Sequence, residues 1–232
     1  MSYFFGQSAF SETNQKTFKD QSLTEILKDN NGYKVKKWEN YLLSYNRSFK
    51  EYQNKPIKLL EIGVRHHDSL EIWNKFFVKN QGIYGVEVSP TLKDVDFGKN
   101  VMMMDFDVTN QSAITENLNN LEFEIIIDSS LHTTGEDIKI FDMLFAQKLK
   151  PGGIYIFEDL HSFYQKDTSE VGKPGLQEFS KNLVDVINTA ASPDKKDFTG
   201  IENEDLYKKW ILSIEFHGDM IMVRKSDEPI QP

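Results

Sequence analysis

Short apolar runs alternate with longer stretches in which apolar residues recur every three or four positions. The first run, Leu59-Leu60-Glu61-Ile62-Gly63-Val64, is broken only by an acid and a glycine. It predicts a buried strand over Lys58 to Gly63 that turns sharply into a helix. That helix spans Asp68 to Lys79, with Asp68 and Glu71 as a capping pair and Leu70, Ile72, Trp73, Phe76 and Phe77 on the buried side. A second strand covers Ile83 to Val88 and stops at Ser89-Pro90. A third covers Val101 to Met104, whose methionines read as sheet core, and ends at Asp105. Gln111 to Leu118 is helical. Phe123 to Asp128 is a fourth strand, with Ile125, Ile126 and Ile127 too apolar for a half-exposed position. A helix over Glu136 to Leu149 leads through the turn Lys150-Pro151-Gly152-Gly153 into a fifth strand, Ile154 to Phe157, which ends at Glu158-Asp159.

The flanks complete the pattern. Ser22 to Lys28 predicts a short helix that stops near Asn30-Asn31-Gly32. Tyr33 to Tyr52 predicts an amphipathic helix with Trp38, Tyr41, Leu42, Tyr45 and Phe49 on one face, most simply a cover for the sheet, with one or two of its aromatic or basic residues left as candidates to line a substrate mouth. Residues 161–175 read as a mobile Gly- and Pro-marked loop, Leu176 to Asn188 as a helix, and 191–205 as a second polar loop. Trp210 to Phe216 and Met220 to Arg224 form a hairpin about His217-Gly218-Asp219, and Ser226 to Pro232 is expected to fray. Five strand-then-helix units and a closing hairpin predict an α/β sandwich. Its seven-stranded sheet would be mostly parallel, with an antiparallel last strand. The division expected is an N-terminal helical cap over 1–56, a catalytic domain over 57–225 and a tail over 226–232.

Charge and composition narrow the function. The chain of 232 residues carries a net charge of −9 and no basic run, which argues against nucleic acid and anionic membrane surfaces as partners. It has no cysteine, so disulfides, thiolate metal sites and cysteine nucleophiles are excluded. No apolar run approaches the ~20 residues of a membrane span, and the expected address is cytoplasmic.

In a parallel sheet, ligands sit at the carboxyl ends of the strands. Those ends carry Glu61 and Gly63, Glu87, Asp105, Asp128, and Glu158 with Asp159. Glu87 is placed to accept hydrogen bonds from two ribose hydroxyls, and Asp105 and Asp107 compete for the adenine edge. The glycines of a dinucleotide loop are missing: Arg65, His66 and His67 follow Gly63. The cofactor expected therefore has a ribose but no pyrophosphate.

Leu59 to Gly63, Tyr84 to Glu87, Phe123 to Asp128 and Leu149-Lys150-Pro151-Gly152-Gly153 together resemble a class I S-adenosylmethionine-dependent methyltransferase, which implies the Rossmann-like sandwich of that class. A narrower resemblance runs over roughly residues 33–190. Tyr33 to Phe49, Leu59 to Trp73, Asp128 to His132, Glu158-Asp159-Leu160-His161 and Leu176 to Asn188 are similar to macrolide-sugar O-methyltransferases of the mycinamicin and macrocin type. The resemblance implies S-adenosylmethionine, with Gly63 in the cofactor loop and Glu87 on the ribose; the strand-end residues Glu61, Asp105 or Asp107, and Asp128 are the further candidates to bind it. It implies His132 as general base; His161, just past the Glu-Asp pair, is a candidate second base or substrate contact by position. It also implies magnesium held by Glu158 and Asp159, to which Asp128 could add a weaker third oxygen ligand by its chemistry. The family's strand four ends Asp-Asp-Gly-Ser-His. Here Ser129 replaces the second acid, which puts the metal requirement in question.

The activity implied is O-methylation of a sugar, or of a surface-glycan or natural-product precursor. The rivals are methylation of a phosphoramidate or amine group on a capsular-glycan precursor, and a methyltransferase-like protein that binds a ligand without turnover. A homo-oligomer is compatible with the sequence, which leaves the oligomeric state and the acceptor open.

Overall fold

The structure, a computed structural model, describes residues 21–29, 39–64, 68–87, 99–130, 134–161, 175–189 and 201–231. In chain order the elements are α1 (Leu23–Asp29), α2 (Glu39–Phe49), β1 (Lys58–Ile62), α3 (Asp68–Phe76), β2 (Gly82–Val86), β3 (Val101–Met104) and α4 (Gln111–Asn117). They continue with β4 (Phe123–Asp128), α5 (Thr134–Gln147), β5 (Leu149–Phe157), α6 (Leu176–Thr189), α7 (Glu204–Trp210), β6 (Ile211–His217) and β7 (Met220–Lys225). The strands form one seven-stranded sheet in the order β3-β2-β1-β4-β5-β7-β6. β1 to β5 are mutually parallel, and β7 runs antiparallel to both β5 and β6.

Alternation along the strands splits the core in two. Leu60, Ile62, Ile126, Tyr155, Phe157, Ile221 and Val223 face a layer that includes α5, α6 and α7. Leu59, Ile83, Ile125, Ile127, Ile154, Ile156 and Met222 face the opposite layer of α1, α2 and α3. Tyr41, Tyr45 and Phe49 of α2 and Leu23 and Ile26 of α1 lie in that second core. The described part of the N-terminal segment is thus a covering layer of the same sheet. Residues 30–38, which carry the beginning of the expected Tyr33 to Tyr52 helix and Trp38, lie outside the described residues.

Several expectations change. α7 occupies a stretch read as the end of a loop and the start of a strand. Its sequence Glu204-Asp205-Leu206-Tyr207-Lys208-Lys209-Trp210 puts acids in the first turn and lysines in the last, complementing the helix dipole, and Glu204 pairs with Lys208 at 3.1 Å. The tail does not fray up to Gln231: the Ser226 amide donates to the Trp210 carbonyl and the Ile230 amide to the Lys209 carbonyl, both at 2.8 Å. Both carbonyls are orphans of the α7 C-terminus, and the tail satisfies them. Finally, the Lys-Pro-Gly-Gly turn lies within β5, where the register jumps from Phe123↔Leu149 to Ile125↔Ile154. Gly152, at φ +73°, shapes that irregularity and accepts a hydrogen bond from the Tyr52 hydroxyl at 2.8 Å. β3 is an edge strand, so Met102 is exposed while Met103 and Met104 are half-buried.

Candidate active site

The carboxyl ends of β1, β2, β4 and β5 lie side by side, with Ile62 in register with both Val86 and Asp128, and Asp128 with Phe157. Gly63 follows β1 at φ +82°. A Cβ there would stand 2.7 Å from the Ser130 nitrogen and 2.8 Å from the Ser129 carbonyl group. The turn therefore takes only glycine, because any other residue meets backbone in a left-handed conformation. Ser129, where an acid was expected, donates its hydroxyl to the carbonyl of Ile62 at 2.9 Å and approaches that of Gly63 at 3.3 Å. A carboxylate has no proton to give these oxygens. Ser129 is a stitch between β4 and the β1 turn.

Three of the strand-end acids are buried: Glu61, Asp128 and Glu158 are 3%, 4% and 6% exposed. Each is held by an aromatic donor. Trp73 Nε1 donates to Glu61 at 2.8 Å, the Tyr155 hydroxyl to Asp128 at 2.7 Å, and the Tyr45 hydroxyl to Glu158. Asp128 also accepts from the Ser130 amide and hydroxyl. Burial, reinforced by the neighbouring carboxylate, pushes the Tyr45 and Tyr155 hydroxyls well above their ordinary range. They stay protonated and remain donors. Glu61 points from the strand into the α2–α3 layer, one residue short of the β1 end.

Glu87, just past β2, is half-buried, and its amide is fixed by the Met104 carbonyl at 3.2 Å. Asp105 is exposed at the next strand end. Asp107 accepts from the Thr109 amide and hydroxyl at 2.9 and 2.7 Å, closing a local turn.

Beyond β5, Asp159 adopts φ +55° and its amide donates to the Tyr41 hydroxyl at 2.9 Å. The same hydroxyl contacts the carboxylates of Asp159 at 3.3 Å and Asp219 at 2.9 Å. Burial raises the Tyr41 hydroxyl above its usual range. Asp219, in the β6–β7 turn, accepts from the His161 amide at 2.5 Å and pairs with His161 Nδ1 at 2.7 Å. Asp159, His161 and Asp219 each offer a ligand atom within 4.8 Å of the others, a set of two hard oxygens and an imidazole. The carboxylates suit a hard divalent cation; the imidazole suits the transition metals better. Glu158 stands behind this group in its bond with Tyr45.

His132, and the Arg65, His66 and His67 that replace the expected glycines, lie outside the described residues. Of the remaining predicted residues, Gly63, Glu87, Asp105, Asp128, Glu158, Asp159 and His161 lie at or just past strand ends, whereas Glu61 turns to Trp73 in the α2–α3 layer and Asp107 closes a local turn. Missing from the expected site were Asp219, Tyr41 and Tyr45. The two tyrosines had a signal: an i, i+4 pair on a buried helix face needs acceptors for its hydroxyls. Asp219 had none beyond sitting in a turn. His217, read as structural, meets the Ser44 hydroxyl at 3.1 Å.

No family model matches the chain. The MycE methyltransferase of the mycinamycin biosynthetic pathway, in complex with Mg and S-adenosylhomocysteine, matches 89% of this chain and 55% of its own at TM-score 0.71 and 20% identity. The fold is that of a class I S-adenosylmethionine-dependent methyltransferase. Two relatives are named as O-methyltransferases. Demethylmacrocin O-methyltransferase of Streptomyces fradiae is 28% identical over 163 residues, covering 65% of this chain and 40% of the relative. The 8-demethyl-8-alpha-L-rhamnosyl tetracenomycin-C 2'-O-methyltransferase of Streptomyces olivaceus is 24% identical over 208 residues, covering 82% and 51%. The chain thus spans about half the length of these relatives or less. Among the described residues, no helix of this methyltransferase fold is long and apolar enough to cross a membrane.

Proposed function

We propose that this chain transfers the methyl group of S-adenosylmethionine to a hydroxyl of a sugar, on a natural-product or surface-glycan precursor. The observation that carries this reading is the shared sheet edge. The Gly63 turn and Glu87 lie at one end of it, and the Asp159–His161–Asp219 group follows β5. The first fits a nucleoside and the second a polar acceptor. The sugar as acceptor class is supported by the relatives, one named as the 2'-O-methyltransferase of a rhamnosyl tetracenomycin and the other as a demethylmacrocin O-methyltransferase.

The residues fit the cofactor. Glu87 would accept from the ribose hydroxyls, Asp105 would face the adenine edge, and Gly63, lacking a side chain, would let the ligand approach the backbone. S-adenosylmethionine supplies an electrophilic methyl on a sulfonium. When bound it would supply that methyl to the acceptor oxygen, with S-adenosylhomocysteine as the leaving group. His132 takes the hydroxyl proton. His161, anchored by Asp219, hydrogen-bonds the acceptor and holds it in line. A divalent cation, if bound, would be held by Asp159 and Asp219 with Glu158 behind them, and would supply charge stabilisation at the acceptor oxygen. The chain is expected to act on a small molecule, in the cytoplasm, as a monomer or homo-oligomer.

The test is transfer of labelled methyl to a panel of glycosylated acceptors, matched with amine and phosphoramidate acceptors. Labelling of sugar hydroxyls supports the reading; labelling of the nitrogen acceptors alone overturns it. His132→Ala is expected to bind S-adenosylhomocysteine as the parent does and to abolish turnover. An unchanged rate removes His132 as the base.

A further inference from the structure

The sheet has two edges, and they differ. β3 is four residues long, and a strand that short offers little to a neighbour. β6 runs seven residues, Ile211-Leu212-Ser213-Ile214-Glu215-Phe216-His217, with no proline and no lysine, the residues that commonly blunt an edge. Among the described residues no strand pairs with its outer side. Leu212 and Phe216 are 59% and 51% exposed, and Ile214 between them is half-buried against the layer of α5, α6 and α7. Glu215 and His217 turn to the opposite face, where Glu215 meets Arg224 at 2.9 Å and His217 meets Ser44 at 3.1 Å.

The register shows where the outward backbone groups lie. β6 and β7 close on His217↔Met220 across the two-residue turn Gly218-Asp219, so that pair exchanges hydrogen bonds, as do Glu215↔Met222 and Ser213↔Arg224 in alternation. The amides and carbonyls of Ile214 and Phe216 therefore point away from β7. Leu212 falls at the register shift between Ile211 and Ser213 and has no partner in β7.

A second copy of this strand, running antiparallel about a twofold axis through Ile214, matches that edge. Ile214 then faces Ile214 of the second copy in a hydrogen-bonded pair, and Phe216 faces the second copy's Leu212 on each side of the axis. The most exposed apolar side chains of the strand cover each other. Charge permits the match. Glu215 falls opposite Ser213 and not opposite its own mate, and Arg224 answers its charge within the chain. An apolar pattern that reads alike in both directions from its centre is what a twofold contact needs, and such a contact closes at two copies.

We infer that β6 is the interface of a homodimer in which two seven-stranded sheets join edge to edge. The contact is one strand pair with its flanking side chains, at the small end of stable interfaces, which sets an expected Kd of about 1–100 μM. The inference does not depend on the methyl-transfer reading, and its test reads association rather than turnover.

Sedimentation velocity of the full chain from about 1 to 300 μM is the first arm, and a reversible monomer–dimer equilibrium is expected. Phe216→Lys, at an exposed position, is expected to weaken association at least ~10-fold while the far-UV circular dichroism stays that of the parent. The second arm uses a chain without cysteine. Ile214→Cys puts two thiols on the axis, in a pair whose Cα atoms stand about 5.5 Å apart, within reach of a disulfide, so mild oxidation is expected to give a covalent dimer. Phe216→Cys leaves its two copies about 14 Å apart and is expected to stay unlinked. Any of four results overturns the proposal: a monomer at every concentration, unchanged affinity in Phe216→Lys, assembly that grows beyond two copies, or equal cross-linking of the two cysteine variants.

Discussion

Replacing Tyr45 by Phe removes one hydroxyl from the floor of the candidate site and little else. The ring is fully buried and packs against Phe49 at 4.7 Å and Trp73 at 5.2 Å between centroids, contacts that phenylalanine keeps. What is lost is the donor to Glu158, an acid only 6% exposed. A hydrogen bond to a charged group contributes about 1.5–3 kcal/mol, and the desolvated carboxylate left behind keeps its penalty. For a chain of this size each kcal/mol moves the melting temperature by about 2–4 °C, so Tyr45→Phe is expected to melt about 3–12 °C lower. Urea denaturation should show a lower midpoint at an unchanged slope. Glu158→Gln and the double variant complete a cycle, whose coupling is expected to be about 1.5–3 kcal/mol. A single variant within ~0.5 kcal/mol of the parent, or a cycle with no coupling, would refute the claim that α2 anchors the β5 end through this bond.

Gly63→Ala places a methyl against the Ser129–Ser130 backbone at φ +82°. It is expected to cost at least the ~1–3 kcal/mol of a strained left-handed residue, read by thermal denaturation, and to abolish cofactor binding. Lys225→Met keeps an apolar stem but removes the ammonium that donates to the carbonyls of Phe145 at 2.6 Å, in the last turn of α5, and of Leu149 at 2.7 Å, at the start of β5. The expected loss is about 1–3 kcal/mol by denaturant titration. Asp142, raised from 3.8 to about 6 by burial, binds a proton more tightly folded than unfolded, so its contribution to stability is lost as pH rises through that window. Asp142→Asn cannot ionise. Between pH 4 and pH 7 it should gain on the parent by about 1 kcal/mol, the figure being reduced for a group that water still reaches.

The sheet was legible because its strands are short apolar runs bounded by glycine, proline and acids. Phe123 to Asp128 was placed to the residue by three consecutive isoleucines that admit no exposed face. α7 escaped because about two polar turns with one buried tyrosine have little periodicity; its stability comes from the tail that satisfies its last carbonyls, a contact between segments that no local pattern carries. The strand-end acids were legible as a set, yet their individual circumstances were not. Whether an acid faces solvent or an aromatic donor depends on the opposite layer, and Trp73, Tyr45 and Tyr155 come from three different elements. Ser129 looked like a missing ligand by pattern. In the fold it is a hydroxyl donor to two carbonyls, a role that needs the β1 turn beside it. Asp219 lies 58 residues from His161, and only the antiparallel return of β7 beside β5 brings the two together.

The central claim is that the edge formed by Gly63 and Glu87 binds S-adenosylmethionine. Calorimetric titration of the chain with that cofactor tests it most directly. The account predicts saturable one-to-one binding that weakens about 10- to 100-fold in Glu87→Ala, the loss of charge-assisted hydrogen bonds to a ribose. No binding up to millimolar cofactor, or equal affinity in the variant, would contradict it.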